Sequence, residues 1–168
     1  AMTELSESAV RADVRQWLEK NWDPDATLRG WRNKLVDSGW AMPEWPKAWY
    51  GRELPQLLAR AVEEEFAAYG AVSAARSGIR LLAAATLLEH GTDTLKKRFL
   101  RRILTGEDTW CQLFREPGSG SDLAGAMTRA ESKNGKWIVN GQKVWTTSAH
   151  HADWGLLLAR TDWDKPKH

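Results

Sequence analysis

The segment best suited to chemistry is a Gly/Ser-rich loop at residues 116–122, with the sequence Glu-Pro-Gly-Ser-Gly-Ser-Asp. Its glycines let the main chain approach a ligand closely or adopt positive φ. Its hydroxyls and backbone N–H groups can converge on a phosphate, a carbonyl or the polar edge of a heteroaromatic ring. No Lys stands where a P-loop needs one and no βαβ unit surrounds the loop, so neither nucleotide motif is present. An ordinary Gly/Ser turn is the alternative interpretation.

A second candidate is the segment at residues 142–148, Gln-Lys-Val-Trp-Thr-Thr-Ser. Its pattern predicts a strand over 142–147. An indole on that strand can stack on a flat cofactor while the threonine hydroxyls bond the cofactor's edge. The alternative is a core Trp beside surface threonines.

Other reactive residue types are less informative. Five cations fall within residues 96–102 of a predicted helix, where a phosphate contact competes with the more usual solvated face. His150 and His151 are adjacent, and adjacent strand residues point to opposite faces, so we expect no metal site there. Cys111 is predicted to be buried and inert. No Ser-His-Asp or paired-carboxylate arrangement follows from the spacing, so no catalytic residue is predicted.

Composition limits the class of protein. The chain has 168 residues, 42% hydrophobic and 27% charged, which excludes a disordered or fibrous chain. Its net charge of +2 gives no argument for nucleic acid. No run approaches the ~18 apolar residues of a membrane span, and no leader is evident, so we expect a cytoplasmic protein without membrane insertion. The single Cys excludes a disulfide framework, and eleven Trp residues stand out.

The elements that must position these segments change type in the middle of the chain. A helical period up to residue 106 predicts a helical domain at 1–107, and a period of two afterwards predicts part of a β-domain at 108–168. The fold class is therefore α+β: an N-terminal all-α domain followed by part of an antiparallel β-barrel or sandwich. Because the last strand leaves an open edge, the sequence is interpreted as stopping partway through a domain.

Five helices are expected in the first part. The first ends near Asn21, the second begins at Pro24 and ends at Gly39, and the third begins at Pro55. Residues 63–65 of the third helix, all Glu, are expected to face water. The fourth, roughly 73–89, is apolar almost all round and expected to be buried on several sides. The fifth starts at Thr92 or Asp93 and is closed by Gly106.

Turn signals organise the second part. Asn134-Gly135 predicts a two-residue hairpin between strands near 127–132 and 136–140. A further strand is expected at 154–160.

Several motifs together resemble one family. Residues 110–124, Trp-Cys-Gln-Leu-Phe-Arg-Glu-Pro-Gly-Ser-Gly-Ser-Asp-Leu-Ala, resemble the strand-and-loop signature of acyl-CoA dehydrogenases. Residues 139–146, Val-Asn-Gly-Gln-Lys-Val-Trp-Thr, resemble the next block of that family. The Trp-Pro loop at 39–46, the His-Gly-Thr helix end at 90–92 and residues 152–160 also agree. Their order and spacing match over nearly the whole chain.

The resemblance implies an FAD-dependent oxidoreductase of fatty-acid β-oxidation. Such enzymes convert an acyl-CoA to its 2,3-enoyl-CoA: a carboxylate takes the α-proton and a hydride passes to flavin N5. An electron-transfer flavoprotein or similar acceptor and a homo- or hetero-oligomer are implied as partners. The family's catalytic Glu belongs to a C-terminal helical bundle that this sequence lacks. No catalytic base is therefore assigned, the chain alone is expected to be inactive, and Glu116 is expected to hold the turn.

The resemblance also implies site residues. The expected cofactor-binding set is Gln112, Phe114, Arg115, Gly120, Ser121, Trp145, Thr146 and Thr147. Ser121 is expected to bind substrate as well, and the apolar helix at 79–88 to line the acyl cavity. Arg115 departs from the Ser or Thr usual in the family. It motivates one alternative, a truncated non-catalytic partner subunit; a relative with other flavin oxidation chemistry is a second.

Overall fold

The computed structural model describes residues 6–74, 76 and 78–167. The chain divides into two compact units, Ala1–Glu107 and Asp108–His168. The first contains the helices and the second contains the strands. The fold is therefore α+β, a helical N-terminal domain followed by the start of a β-domain.

The described residues of the first unit form five α-helices: α1 Glu7–Asn21, α2 Leu28–Ser38, α3 Gln56–Tyr69, α4 Gly78–His90 and α5 Asp93–Thr105. The predicted ends at Gly39 and Gly106 are confirmed, since both residues are left-handed C-caps. The predicted start of the second helix at Pro24 is wrong. Helix α2 begins at Leu28, because the Thr27 hydroxyl accepts a hydrogen bond from the Gly30 N–H (3.1 Å) and so caps the helix there.

An aromatic cluster lies in the core of the helical unit. The ring centroid of Trp31 on α2 is 5.3 Å from that of Trp17 on α1 and 4.8 Å from that of Trp22. Phe66 on α3 extends the cluster, with its ring 6.4 Å from Trp31. The Trp31 indole N–H donates to the Val72 carbonyl (2.7 Å), so its polar atom is satisfied.

Helix α4 differs from its prediction. It was expected to be buried on several sides, yet in this chain only Ala83 and Ala84 of its residues are buried. Its main helix contact is with α5. Packing mainly against one helix buries one face, so the rest of the helix stays partly accessible.

Glu65 also overturns an expectation. The Glu run on α3 was predicted to face water, but Glu65 is buried. Its carboxylate accepts from Arg15 Nε (2.7 Å), Arg15 Nη2 (2.9 Å) and Arg11 Nη1 (3.0 Å), all donated from α1. The hydrogen bonds from Arg15, only partly offset by burial and reinforced by Arg11, lower the pKa of Glu65 to about 2. An ion-pair lock therefore joins α1 to α3.

The second unit contains strands β1 Trp110–Leu113, β2 Arg129–Lys133, β3 Lys136–Asn140 and β4 Trp154–Leu157. Strands β2 and β3 form the predicted antiparallel hairpin, and Asn134 (φ 50°) and Gly135 (φ 73°) supply its turn. Strands β1 and β4 pair in parallel, which corrects the all-antiparallel expectation. The β1–β4 pair can be parallel because the chain between these two strands is long and includes the β2–β3 hairpin. The described residues form no closed barrel.

Candidate functional site

The buried side chain of Glu116 anchors the start of the Gly/Ser-rich loop. The loop follows β1, and the Glu116 side chain points inward and is buried. Its carboxylate accepts from the Met127 N–H, the Thr128 N–H (2.9 Å), the Thr128 hydroxyl (2.6 Å) and Lys143 Nζ (2.8 Å). All of its acceptor capacity is thus directed at the protein. This is the geometry of a residue that holds a turn.

The charge state of Glu116 follows from these contacts. Burial alone would raise the pKa of its carboxyl. The hydrogen bonds from Lys143, from the Thr128 hydroxyl and from the two backbone N–H groups outweigh it and lower the pKa to about 2. Glu116 is therefore ionised at neutral pH and engaged by four donor groups.

Lys143 joins the two candidate segments. Its ammonium donates to the Phe114 carbonyl (3.1 Å) as well as to Glu116, and the Val144 N–H donates to the Arg115 carbonyl (2.9 Å). Residues 114–116 and 143–144 consequently lie side by side. We call this set of contacts among Phe114, Arg115, Glu116, Lys143 and Val144 the clamp.

The expected strand at 142–147 is absent from the structure, where this segment has no regular secondary structure. Trp145 has φ 55°, which interrupts any extended backbone. A left-handed conformation is costly for a bulky residue. The adjacent clamp holds this backbone, and the indole beyond it is 86% exposed.

The remaining predicted residues surround the clamp unevenly. Thr146 and Thr147 follow Trp145 directly, while Gly120 and Ser121 lie in the Gly/Ser-rich loop. Two backbone hydrogen bonds close that loop, from the Ser119 N–H to the Glu116 carbonyl (3.4 Å) and from the Asp122 N–H to the Ser119 carbonyl (2.9 Å). Gln112 lies on β1 opposite Leu156 of β4. In the part of the chain that the structure describes, no hydrogen bond connects Ser121 to the Trp145–Thr147 segment.

Polar groups at these positions remain available. Within the described residues, the hydroxyls of Ser121, Thr146 and Thr147 make no hydrogen bond to other protein groups. Arg115 is exposed and forms no ion pair there. Buried polar groups are normally paired with protein or water, whereas these groups face solvent and can take an external partner.

Lys143 and Thr128 are functional neighbours that the sequence did not reveal. A Lys followed by only two apolar residues, Val144 and Trp145, in a segment that is otherwise polar is a weak signal for a buried cation. Gly141 fits the same assembly, because a Cβ there would lie 2.4 Å from the Thr128 hydroxyl. Only glycine lets the end of β3 approach Thr128 so closely.

Histidine and cysteine supply no metal site among the described residues, where no group of three potential ligands occurs. His150 and His151 lie in a 3₁₀ turn, Ala149–His151, rather than on a strand, and their rings are 3.9 Å apart. Strand geometry therefore does not apply to this pair. Cys111 is buried as predicted. No described helix is long and apolar enough to cross a membrane.

Comparison with known sequences agrees with this architecture. A family description named "Acyl-CoA dehydrogenase, N-terminal domain" matches residues 1–107, and "Acyl-CoA dehydrogenase, middle domain" matches residues 111–168. The chain belongs to the acyl-CoA dehydrogenase family, whose members are FAD-dependent oxidoreductases.

Individual relatives are similar over different lengths. Acyl-CoA dehydrogenase FadE34 of Mycobacterium tuberculosis is 48% identical over 134 residues, which cover 80% of this chain and 19% of that protein. Acyl-CoA dehydrogenase IpdE1 of the same organism is 36% identical over 175 residues, covering 94% and 46%. The chain thus spans less than half the length of either relative.

Solved structures give the same result. The ChsE4-ChsE5 complex from Mycobacterium tuberculosis matches with a TM-score of 0.60 and 28% identity, covering 96% of this chain and 44% of that one. The Tcur3481-Tcur3483 steroid ACAD matches with a TM-score of 0.61 and 27% identity, covering 96% and 45%.

Proposed function

We propose that this chain is the N-terminal part of an FAD-dependent acyl-CoA dehydrogenase and that its clamp presents the flavin-binding residues. The observation that carries the proposal is the exposed indole of Trp145, held on left-handed backbone beside the clamp. The positive φ is strained for a Trp, and the exposed indole forgoes the burial that such a large aromatic side chain usually gains. A flat ligand that stacks on the indole accounts for both.

The available groups fit such a ligand. FAD, when bound, supplies the acceptor for the hydride that leaves the β-carbon of the acyl-CoA. Trp145 stacks on its ring system, and the hydroxyls of Thr146 and Thr147 donate to the ring edge. Ser121 donates toward both cofactor and thioester. Gln112, Phe114 and Gly120 complete the proposed set, which is Gln112, Phe114, Arg115, Gly120, Ser121, Trp145, Thr146 and Thr147.

Arg115 has an electrostatic role in this proposal. Arg115 belongs to the clamp through its backbone carbonyl, and the residue is exposed to solvent. A cation at the polar edge of the cofactor stabilises negative charge that develops there during oxidation of the substrate. The base that takes the α-proton is assigned to residues outside this chain, as is the contact with an electron-transfer flavoprotein or similar acceptor.

FAD titration of the purified chain tests the cofactor site. We expect the flavin absorbance or fluorescence to change on binding and Trp145→Ala to weaken binding at least about tenfold, or ~1.4 kcal/mol. The matched control is Trp137→Ala, because Trp137 is also an exposed Trp of the same unit, 63% accessible on β3. Equal losses in the two variants would contradict the proposed stacking role of Trp145.

A second candidate function is that of a non-catalytic partner subunit. Two observations favour it: the charge of Arg115 at the proposed ring edge, and the similarity to a solved complex of two different proteins. In that case the chain does not bind FAD, Arg115→Ser gains FAD affinity, and the unaltered chain co-purifies with a full-length homologue. A yellow protein that an acyl-CoA bleaches would exclude this candidate. A steroid acyl-CoA ester is tested for bleaching beside a straight-chain one, because the similar Tcur3481-Tcur3483 protein is a steroid ACAD.

A further inference from the structure

Two arginine side chains from different helices converge beside the C-terminal end of α5. A Cβ built on Gly106 would lie 2.9 Å from Nη2 of Arg80, on α4, and 3.3 Å from Nη1 of Arg32, on α2. Gly106 is the left-handed C-cap of α5, with φ 77°. Because this residue has no side chain, the end of the helix is open to both guanidinium groups.

Neither guanidinium has a counter-charge among the described residues of the helical unit, where no ion pair or hydrogen bond joins Arg32 or Arg80 to a carboxylate. The acidic residue next to Gly106, Glu107, accepts from Arg102 (3.0 Å) instead. Arg101 on α5 is likewise paired, with Asp37 (2.8 Å). The two converging arginines therefore differ from their neighbours.

The electrostatics of this pair are unfavourable without a further partner. Both side chains are half-buried. Burial, together with the charge of Arg32, lowers the pKa of the Arg80 guanidinium. The C-terminus of α5 contributes a partial negative charge of roughly half an electron, which offsets only part of the two positive charges.

We propose that Arg32 and Arg80 form a binding site for a small oxyanion of the phosphate type at the C-terminal end of α5. Such an anion carries enough charge to neutralise both side chains. Guanidinium groups match its oxygens with paired N–H donors, which a lysine cannot do. The site lies wholly within the helical unit, so the proposal does not depend on the flavin function.

Calorimetric titration of the intact chain with inorganic phosphate tests the site, at an ionic strength held constant with chloride. We expect saturable binding and a higher thermal unfolding temperature in phosphate than in chloride. Arg32→Gln and Arg80→Gln should each weaken phosphate binding at least about tenfold. Arg29→Gln is the matched control, because Arg29 is an exposed residue of α2 outside the pair. The phosphate affinity of this variant should equal that of the unaltered chain.

Two lysine variants separate charge from geometry. Arg32→Lys and Arg80→Lys keep the positive charge and are milder changes for folding, so they serve if a glutamine variant fails to fold. Binding should weaken in both, since the paired donors are lost. A parallel titration with ADP tests whether the bound phosphate group belongs to a nucleotide or is free. Tighter binding of ADP than of phosphate assigns the site to a nucleotide, and equal binding assigns it to free phosphate.

Three results would overturn the proposal. One is phosphate stabilising the chain no more than chloride does. Another is phosphate binding that survives in both glutamine variants. The third is a loss of stability in Arg80→Gln in chloride with no phosphate response in the unaltered chain, because the helix terminus alone would then hold the arginines.

Discussion

Glu65 in the helical unit and Glu116 in the β-unit are two buried carboxylates stabilised in different ways. Each is 6% exposed, and the pKa of each is lowered to about 2. Glu65 is held by two arginines that reach across from another helix. Glu116 is held by one lysine, one hydroxyl and two backbone N–H groups.

The difference concerns redundancy and access to water. The Arg15 side chain is 58% exposed, and Arg11 also forms an ion pair with Glu65. Glu65 therefore keeps one cationic partner if either arginine is removed. The Lys143 side chain is only 8% exposed and is the sole cation on Glu116 among the described residues. The same carboxylate chemistry therefore makes an adaptable lock between helices and a rigid clamp beneath the candidate site.

Acid should give the largest effect, because it acts on both carboxylates at once. A folded-state pKa below the ordinary value of 4.5 contributes stability that is complete above pH 4.5 and is lost as the pH falls toward about 2. We expect the free energy of unfolding to decline over that window. Denaturant titrations at stepped pH measure the decline. Glu65→Gln and Glu116→Gln should each flatten the curve, and an unchanged slope in both would refute this assignment.

Removal of the buried cation should give the next largest effect. Lys143→Met leaves the Glu116 carboxylate without its counter-ion, which costs about 3 kcal/mol for a buried pair. Urea unfolding measures the loss. The control is the double variant Lys143→Met with Glu116→Gln, which removes the uncompensated charge and should recover part of it. A single variant as stable as the unaltered chain would show that the clamp contributes nothing.

The helical lock should be more tolerant. Glu65→Gln weakens three charge-assisted hydrogen bonds, and we expect a loss of about 2 kcal/mol. Arg15→Gln should cost less than Glu65→Gln, because the Arg15 side chain is largely exposed and Arg11 remains. Urea unfolding compares the two. A larger loss in Arg15→Gln than in Lys143→Met would reverse the comparison between the units.

The helical part was predictable from sequence because caps and glycine stops are local signals. The capping roles of Thr92, Gly39 and Gly106 depend only on residues next to them in the sequence. All three residues cap helix ends in the structure, as expected. The burial of Glu65 depends on a distant element, α1, although its spacing was informative. Glu65 lies three residues after Val62 and one before Phe66, on the apolar face of α3. The charge of a Glu favoured an exposed position, although its place on the apolar face of α3 favoured a buried one.

The candidate site was less predictable for the same reason. Alternation over 142–147 favours a strand, but the buried hydrogen bonds of Lys143 and the positive φ of Trp145 determine the backbone there. The Lys143 hydrogen bonds depend on residues nearly thirty positions away in the chain. The burial of α4 similarly depends on how many elements pack on it, which an apolar composition does not specify.

The tryptophan cluster of the helical core gives the protein an intrinsic optical reporter. Three indoles with rings about 5 Å apart in successive pairs are close enough for their electronic transitions to couple, and the 72° angle between Trp22 and Trp31 makes that coupling chiral. Circular dichroism in the indole bands should therefore show a paired positive and negative signal that arises in the helical unit. The Trp110–Trp154 pair of the β-unit is further apart, with ring centroids 6.5 Å from each other, so the larger share of that signal and its loss on denaturation report on the helical core.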